Sequence, residues 1–463
     1  MGKPTGFLDY FRVENTPENP AERTAFFREF HTMLSEKKRR EQGARCMNCG
    51  VPFCQSAYGC PLHNLIPEWN DEIFSGNWSH ALSRLMKTNQ FPEFTGRVCP
   101  ALCESACICG MEDLHAAVTV RENELAIAEY AWAHGLIQPE NPPVRTEKRV
   151  AVIGSGPAGL SVADRLNRRG HRVTVYERDE LPGGLLMFGI PEMKLEKDVV
   201  QRRIKKMQTE GIAFQCGTEV GKDLSVSRLL KEYDAIILAC GARQARSVPA
   251  VDAAVPGVSY ALEYLTESTR AILEGRESRI SAAGRDVLVV GNGDTATDCV
   301  ATALRQGAKS VRQLVRKPKA ASARVWPYRP SGEKTSYGQE EAIALFGEDP
   351  RLYEATVQEL YADENGALRE VRACVGKEEL FLPAGMLLLA SGFSGVEKSI
   401  ETAFHVKKNE KGRIGSADFT TEHPKIFACG DAHRGPSLVV WAIAEGQECA
   451  KAVDRFLEGY TNL

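Results

Sequence analysis

Two short strands, each apolar after its first residue and each breaking into a glycine-rich turn, constrain this chain more than any other feature. Arg149-Val-Ala-Val-Ile runs into Gly154-Ser-Gly156-Pro157-Ala158-Gly159, and Asp286-Val-Leu-Val-Val runs into Gly291-Asn-Gly293-Asp294-Thr295-Ala296. A helical pattern follows each turn and, in the first copy, ends near Gly170. Strand, turn and helix in that order open a dinucleotide-binding βαβ unit. The first glycine permits the tight turn, and the second leaves room for a pyrophosphate against the backbone. The third, alanine in the second copy, lets helix and strand pack closely. The helix N-terminus then offers unpaired N–H groups to the phosphates.

The residues closing the second strand of each unit separate the two sites. Arg172–Tyr176 ends in Glu177, placed to accept hydrogen bonds from a ribose diol. Ser310–Val315 ends instead in Arg316-Lys317. A carboxylate there would repel a 2′-phosphate, whereas a guanidinium grips one with two hydrogen bonds. The second site therefore reads as an NADPH site, with Arg316, Lys317 and Arg324 on the 2′-phosphate. The first, by its own residues, suits FAD or NAD. Two further segments resemble those of two-dinucleotide flavoproteins and favour FAD: Pro182-Gly-Gly184-Leu185, and Lys425–Asp431, a short strand closing on Gly430-Asp431. That resemblance implies that Asp431 binds the ribitol chain, that Ser437 contacts the flavin, and that the next helix N-terminus faces its pyrimidine end.

These motifs predict an α/β fold with two Rossmann-like domains, the NADPH domain inserted in the FAD domain. The expected division is 146–249 and 389–463 for the FAD domain and 250–388 for the NADPH domain. Cys240-Gly-Ala-Arg and Ser391-Gly-Phe-Ser mark the two crossings. A proline-rich linker, Gln138–Arg145, precedes the first strand. Residues 1–145 carry helical patterns at Glu22–Arg40 and Glu72–Lys87 and read as a mainly helical domain organised by cysteines.

Eight of the 14 cysteines fall between Cys46 and Cys109, a density that points to metal or redox chemistry rather than disulfides. The other six, Cys216, Cys240, Cys299, Cys374, Cys429 and Cys449, stand singly among apolar neighbours and read as small core residues. Two residues separate Cys46 from Cys49, four separate Cys49 from Cys54, and five separate Cys54 from Cys60-Pro61. Cys99-Pro, Cys103 and Cys107 form a second set. Thiol spacing alone leaves zinc and iron–sulfur open. Disulfide reductases of this fold discharge their flavin through a cysteine pair, but Leu185-Leu-Met-Phe-Gly stands in its place here. Reduced flavin then needs another exit, which favours two 4Fe-4S clusters.

With 58 basic and 61 acidic residues the formal net charge is -3, which gives no electrostatic footprint for nucleic acid. The longest apolar runs, Met386–Ala390 and Leu438–Ala444, are too short for a bilayer, and the first residues lack a signal or transit pattern. A cytoplasmic protein with no nucleic-acid or membrane partner is expected.

The segments CMNCGVPFCQSAYGCPLHNLIPEWN, FTGRVCPALCESAC, VTVYERDELPGGLLMFGIP, GNGDTATDCV and FACGDAHRGPSLVVWAIAEG resemble the small (beta) subunit family of NADPH-dependent glutamate synthase over nearly the whole chain. The N-terminal region also resembles that of dihydropyrimidine dehydrogenase. The resemblance implies one cluster on Cys46, Cys49, Cys54 and Cys107, and another on Cys60, Cys99, Cys103 and Glu124. Spacing would have taken Cys109 as the eighth thiolate, but the family usually has an apolar residue there, so Cys109 is read as spare. Pro436 and His433 depart from the family's usual Gln and Arg, and Ala320–Trp326 departs from its usual sequence.

The implied activity is electron input. NADPH reduces FAD, and electrons pass through the clusters to a glutamate synthase large (alpha) subunit in a hetero-oligomer. That partner makes L-glutamate from L-glutamine and 2-oxoglutarate. Amide hydrolysis of this kind uses an N-terminal cysteine, and this chain begins Met1-Gly2. No side chain is expected to act as acid or base in the hydride step, which positioning alone serves. Two rival expectations stand beside it: a related oxidoreductase feeding ferredoxin or another partner, and a zinc-stapled nucleotide-binding scaffold.

Overall fold

The computed structural model describes residues 3–319, 325–328 and 335–463. Five parallel strands form the first sheet, in the order Ile426–Ala428, Ala235–Leu238, Arg149–Ile153, Arg172–Tyr176 and Ala213–Gln215. Its central strands are buried on both faces, which is why they read as unbroken apolar runs rather than alternating ones. The last strand to join, Ile426–Ala428, comes from the far end of the chain.

Between Leu238 and Ile426 the chain builds a second parallel sheet, ordered Arg351–Tyr353, Ser310–Val315, Asp286–Val290, Met386–Leu389 and Val258–Tyr260. An antiparallel meander, Ala355–Ala362, Leu368–Val375 and Glu378–Pro383, covers one face of it through Val371 and Ala373. The two passages between the sheets lie side by side, because Gln244–Ala245 pairs antiparallel with Phe393–Gly395.

The long helix Val439–Glu458 packs against Pro157–Arg169, the helix that follows the first glycine turn. The approach is close enough that a Cβ on Gly446 would sit 2.5 Å from the Ala158 carbonyl oxygen. Ser161 Oγ donates to the Ile443 carbonyl at 2.8 Å across the same contact.

The N-terminal region is helical, with Glu36–Ala44, Ile66–Ser75, Trp78–Met86, Pro92–Val98 and Val120–Ala133. Its two expected helical stretches differ in detail. Residues 72–87 are split at Gly76, whose φ of 81° ends one helix before the next begins. Residues 22–40 hold a 3-10 turn, Glu22–Ala25, a two-residue strand, His31–Thr32, paired with Thr16–Pro17, and a helix starting at Glu36. The segment between them is drawn out because Phe26, Phe27 and Phe30 pack on Met193, Ala301 and Tyr337 of the nucleotide-binding region. The scattered cysteines also divide: Cys299, Cys429 and Cys449 are buried, while Cys216, Cys240 and Cys374 are only half-buried. Among the described residues, no helix is long and apolar enough to cross a membrane.

Candidate functional site

The first glycine turn opens onto a cleft of about 1060 Å³ walled by Gly154, Gly156, Pro157, Ala158, Glu177, Gly184 and Leu185, and on its other side by Asp431 and Ser437. Gly154 has φ 103°, and a Cβ there would meet the Ala239 carbonyl oxygen at 2.5 Å. Gly156 is different: its backbone is extended, and a Cβ on it would find nothing within 4 Å. The space it leaves open is the space a pyrophosphate needs against the backbone. Gly159 and Gly430 lie behind the wall. Their Cβ atoms would fall 2.0 Å from the Gly154 oxygen and 2.5 Å from the Ala158 Cβ.

Glu177 is buried and held from three sides. Its Oε2 accepts from the Ser155 N–H at 3.0 Å and the Ser155 hydroxyl at 2.5 Å, and its Oε1 accepts from the Asp179 N–H at 3.0 Å. Asp431 accepts from the Ser437 hydroxyl at 2.9 Å, yet burial outweighs that bond and pushes its carboxyl up to about 6.

At the second turn Gly291 has φ 140°, and a Cβ would meet the Ala390 oxygen at 2.5 Å, while Gly293 again faces open space. Asp294 and Thr295 are exposed at the helix N-terminus, and Ala296 is buried beneath it. Arg316 and Lys317 are exposed just beyond Ser310–Val315, the strand paired with the one that delivers Gly291. Arg324 lies outside the described residues.

The two nucleotide-binding halves face one space of about 1410 Å³. Leu185, Asp431, Ser437 and Trp441 line it from the first half, Thr295 from the second, and Gly392 and Phe393 from the crossing between them. Pro436 is also on its wall. His433 points elsewhere, bonded to Glu445 at 2.6 Å and to the Ser416 carbonyl at 2.7 Å.

The eight clustered cysteines sort into two small cavities. Cys46, Cys49, Cys54, Cys107 and Cys109 line one. Cys60, Cys99 and Cys103 line another, together with Glu124. The acidic side chain, and not Cys109, thus stands beside Cys60, Cys99 and Cys103 in the second cavity. Glu124 is held by Asn64 at 3.2 Å, Asn89 at 3.1 Å and the Thr95 hydroxyl, and burial pushes its carboxyl up to about 7.

Burial pushes the Cys46 and Cys60 thiols up to about 12 and Cys99 to about 11. Such sulfurs become thiolates only against a compensating cation, which is the condition a metal site meets. Among the described residues no three His, Cys, Asp or Glu side chains are grouped as ligands of one ion would be. Several thiols lining one cavity are a donor set that an iron–sulfur cluster fits.

Several functional neighbours carried no sequence signal. Arg121 and Val440 line the second cavity, and Val440 comes from the helix that also walls the dinucleotide cleft. Trp326, from the segment after Arg316, donates its indole N–H to the Cys107 carbonyl at 3.3 Å and packs on Phe53 at 4.7 Å.

Comparison with known proteins matches both halves. The pyridine nucleotide-disulphide oxidoreductase model covers residues 148–446. The model described as dihydropyrimidine dehydrogenase domain II, 4Fe-4S cluster, covers residues 23–136. The chain is 45% identical to the glutamate synthase (NADPH) small chain of Bacillus subtilis over 99% of each protein. It belongs to that family. Glutamate synthase (NADH) of Schizosaccharomyces pombe is 42% identical over all of this chain, which covers 23% of that longer protein. The structure of Mycobacterium tuberculosis FprA in complex with NADPH shares the fold, with a TM-score of 0.52 at 18% identity over 68% of this chain and 85% of that one.

Proposed function

We propose that this chain is the electron-input subunit of glutamate synthase, an NADPH-dependent oxidoreductase. The observation that carries the reading is the common space between the two nucleotide sites, backed by two thiol-lined cavities. FAD, NADPH and iron–sulfur clusters held there would supply the redox chemistry, a hydride transfer followed by single-electron transfer.

The chain's own residues bind, orient and exclude water. Gly154, Gly156 and the helix behind them cradle the flavin nucleotide's pyrophosphate, and Glu177 takes its ribose hydroxyls. Asp431 and Ser437 hold the flavin end, with Leu185 and Trp441 keeping water from the space it shares with Thr295. Gly291–Ala296 receives the second pyrophosphate, and Arg316 and Lys317 select the 2′-phosphate. Cys46, Cys49, Cys54 and Cys107 hold one cluster, and Cys60, Cys99, Cys103 and Glu124 the other. The side-by-side crossings support a division into 1–145, 146–249, 250–388 and 389–463, the third unit inserted between the parts of the flavin domain.

Electrons leave to a large subunit. The yeast relative, in which this chain matches 23% of one polypeptide named glutamate synthase, supports a partner that is elsewhere fused. Exposed Val51, Tyr58, Met111, Val325 and Tyr328 flank the first cavity and suit a docked protein. None of the 14 cysteines is paired in a disulfide, which suits a reducing cytoplasm.

Anaerobic purification with iron, zinc, sulfide and flavin analysis tests the reading, alone and with the large subunit. About eight irons and one FAD per chain are expected, bleached by NADPH and reoxidised by glutamine plus 2-oxoglutarate only when the large subunit is present. Zinc without sulfide would refute the cluster assignment. Clusters that reduce but never drive glutamate formation would move the function to another acceptor.

A further inference from the structure

The crossings that join the two nucleotide-binding halves run side by side, as Gln244–Ala245 and Phe393–Gly395. A paired strap of that kind resists stretching but leaves the NADPH half free to turn about it, and such motion is the rule for halves linked by little else. Contacts away from the strap remove that freedom. They converge on one stretch of the flavin half, residues 185–197, whose first residue, Leu185, walls both the dinucleotide cleft and the common space.

That stretch is stiff. The buried Lys197 ammonium donates to the Leu186, Ile190 and Leu195 carbonyls at 3.2, 2.6 and 2.8 Å. The N–H groups of Lys194 and Leu195 close on the Pro191 carbonyl at 3.0 and 3.2 Å. Thr266 of the NADPH half donates its hydroxyl to the Phe188 carbonyl at 3.2 Å. Lys194 reaches the other way, its ammonium 3.0 Å from Oδ1 and 3.4 Å from Oδ2 of Asp298.

Asp298 is buried one turn into Asp294–Arg305, the helix that follows the second glycine turn and presents Thr295 to the common space. Tyr337 donates its hydroxyl to the same Oδ1 at 2.6 Å, which fixes the direction of the carboxylate. Arg270 also links the halves, to Asp179 at 3.0 Å and Glu180 at 2.7 Å, but Glu180 is exposed and that pair is screened by water and salt. The Lys194–Asp298 pair has a buried partner and is the stronger tether.

We propose, on the hydride-transfer reading above, that Lys194 is a positioning residue: its ion pair with Asp298 holds the NADPH half at a set stand-off from the flavin cleft, with no domain rotation between coenzyme binding and hydride transfer. Leu185 at the flavin end and Lys194 on the coenzyme-binding helix are two ends of one block. A shift of that helix is therefore a shift of one ring against the other, and hydride transfer falls steeply with such misplacement.

The test uses the full chain with FAD bound, mixed anaerobically with NADPH in a stopped-flow spectrometer. A wild type that does not bleach would condemn the hydride-transfer reading itself, and the proposal with it. In Lys194→Met the bleaching rate at saturating NADPH should fall about ten- to a hundredfold, with half-saturation little changed. Lys194→Arg should recover most of the rate. Methionine leaves the Asp298 carboxylate buried with Tyr337 alone, so the single variant also loses stability. The double variant, Lys194→Met with Asp298→Asn, removes that unpaired charge. Its melting temperature should return toward the wild-type value while its bleaching stays slow. Without NADPH, amide hydrogens in Ala261–Glu274 and in 186–196 should exchange faster in both variants than in the wild type. A wild-type rate in Lys194→Met overturns the proposal, and so does a rate that recovers together with the melting temperature in the double variant. A raised half-saturation at unchanged maximal rate also overturns it, because Lys194 would then serve binding alone.

Discussion

Val439 and Val440, neighbours in the chain, stand on two different cavities: Val439 on the wall of the dinucleotide cleft and Val440 on that of the Cys60–Cys99–Cys103–Glu124 cavity. One turn of the helix Val439–Glu458 is thus the partition between the dinucleotide cleft and the second cysteine-lined cavity. Among the described residues, the walls of the first cavity come from 46–120 and include no part of that helix. The arrangement is serial, and it predicts an asymmetry. Glu124→Ala should leave NADPH-driven flavin bleaching intact and abolish reduction of both cluster signals. Cys46→Ser should abolish one only. Freeze-quench EPR distinguishes these, and equal behaviour of the two variants would argue for parallel paths.

Two glycines three residues apart should fail in opposite ways. Gly156→Ala places its methyl in open space, so the fold should hold. The pyrophosphate site narrows, and flavin retention should weaken roughly tenfold or more, since ~1.4 kcal/mol suffices for that. Gly159→Ala drives a Cβ to 2.0 Å from the Gly154 oxygen, overpacking that costs about 3 kcal/mol. Flavin content and thermal melting of the two variants separate the effects.

The turns were legible in sequence because their chemistry is local: Gly154, Glu177, Gly291 and Arg316 each act within one strand–turn–helix unit. The dense cysteines were legible as one redox-type region, but their partition followed from the family resemblance and not from their spacing. Cys109 follows Cys107 into the first cavity because one 3-10 turn carries both, and the second cavity sets Glu124 beside its three cysteines, 21 residues or more from any of them. The arm at 22–35 was misread as helix. Its charged residues have helical propensity, but the phenylalanines that decide its path are buried against residues 193, 301 and 337. Propensity carries no information about a contact that distant.

Removing one cation from the second nucleotide site should change cofactor preference rather than turnover. Arg316 is exposed beyond its strand, placed to reach a 2′-phosphate. Arg316→Ala forfeits charge-assisted hydrogen bonds worth ~1.5–3 kcal/mol. KM for NADPH should rise about ten- to a hundredfold, with KM for NADH unmoved. An equal rise for both coenzymes would place Arg316 on a group they share.

Asp431 gives the flavin-free protein a pH dependence. Its carboxyl is pushed up to about 6 by burial, above an ordinary value of 3.8. A raised carboxyl favours the folded state fully below the unfolded value and loses that contribution as pH rises through the folded one. Deflavinated protein should therefore lose about 2 kcal/mol between pH 4 and pH 7 from this group. Asp431→Asn should flatten that part of the profile in thermal melts across the same range.

The most consequential buried charge is Glu341, which is shared between Arg23 of the N-terminal arm and Arg305 of the nucleotide-binding helix. Arg23 Nε reaches Oε1 at 2.6 Å, and Arg305 reaches Oε2 at 2.6 Å and Oε1 at 3.0 Å, with all three side chains essentially inaccessible. Arg305 also donates to the Phe26 carbonyl at 2.9 Å, so one carboxylate organises the whole docking of the arm. Glu341→Ala leaves Arg305 buried without its counter-charge and Arg23 with only the Glu340 carboxylate at 3.1 Å, a loss of about 3–5 kcal/mol. Replacing all three with apolar residues should cost far less, because the desolvation penalty disappears with the charges. Urea unfolding measures the difference, and limited trypsin digestion reads the arm directly: Glu341→Ala should expose cleavage after Arg23 and Arg28, and the apolar triple variant should protect the arm again. A Glu341→Ala protein as stable and as resistant as the wild type would show that the phenylalanines alone hold the arm in place.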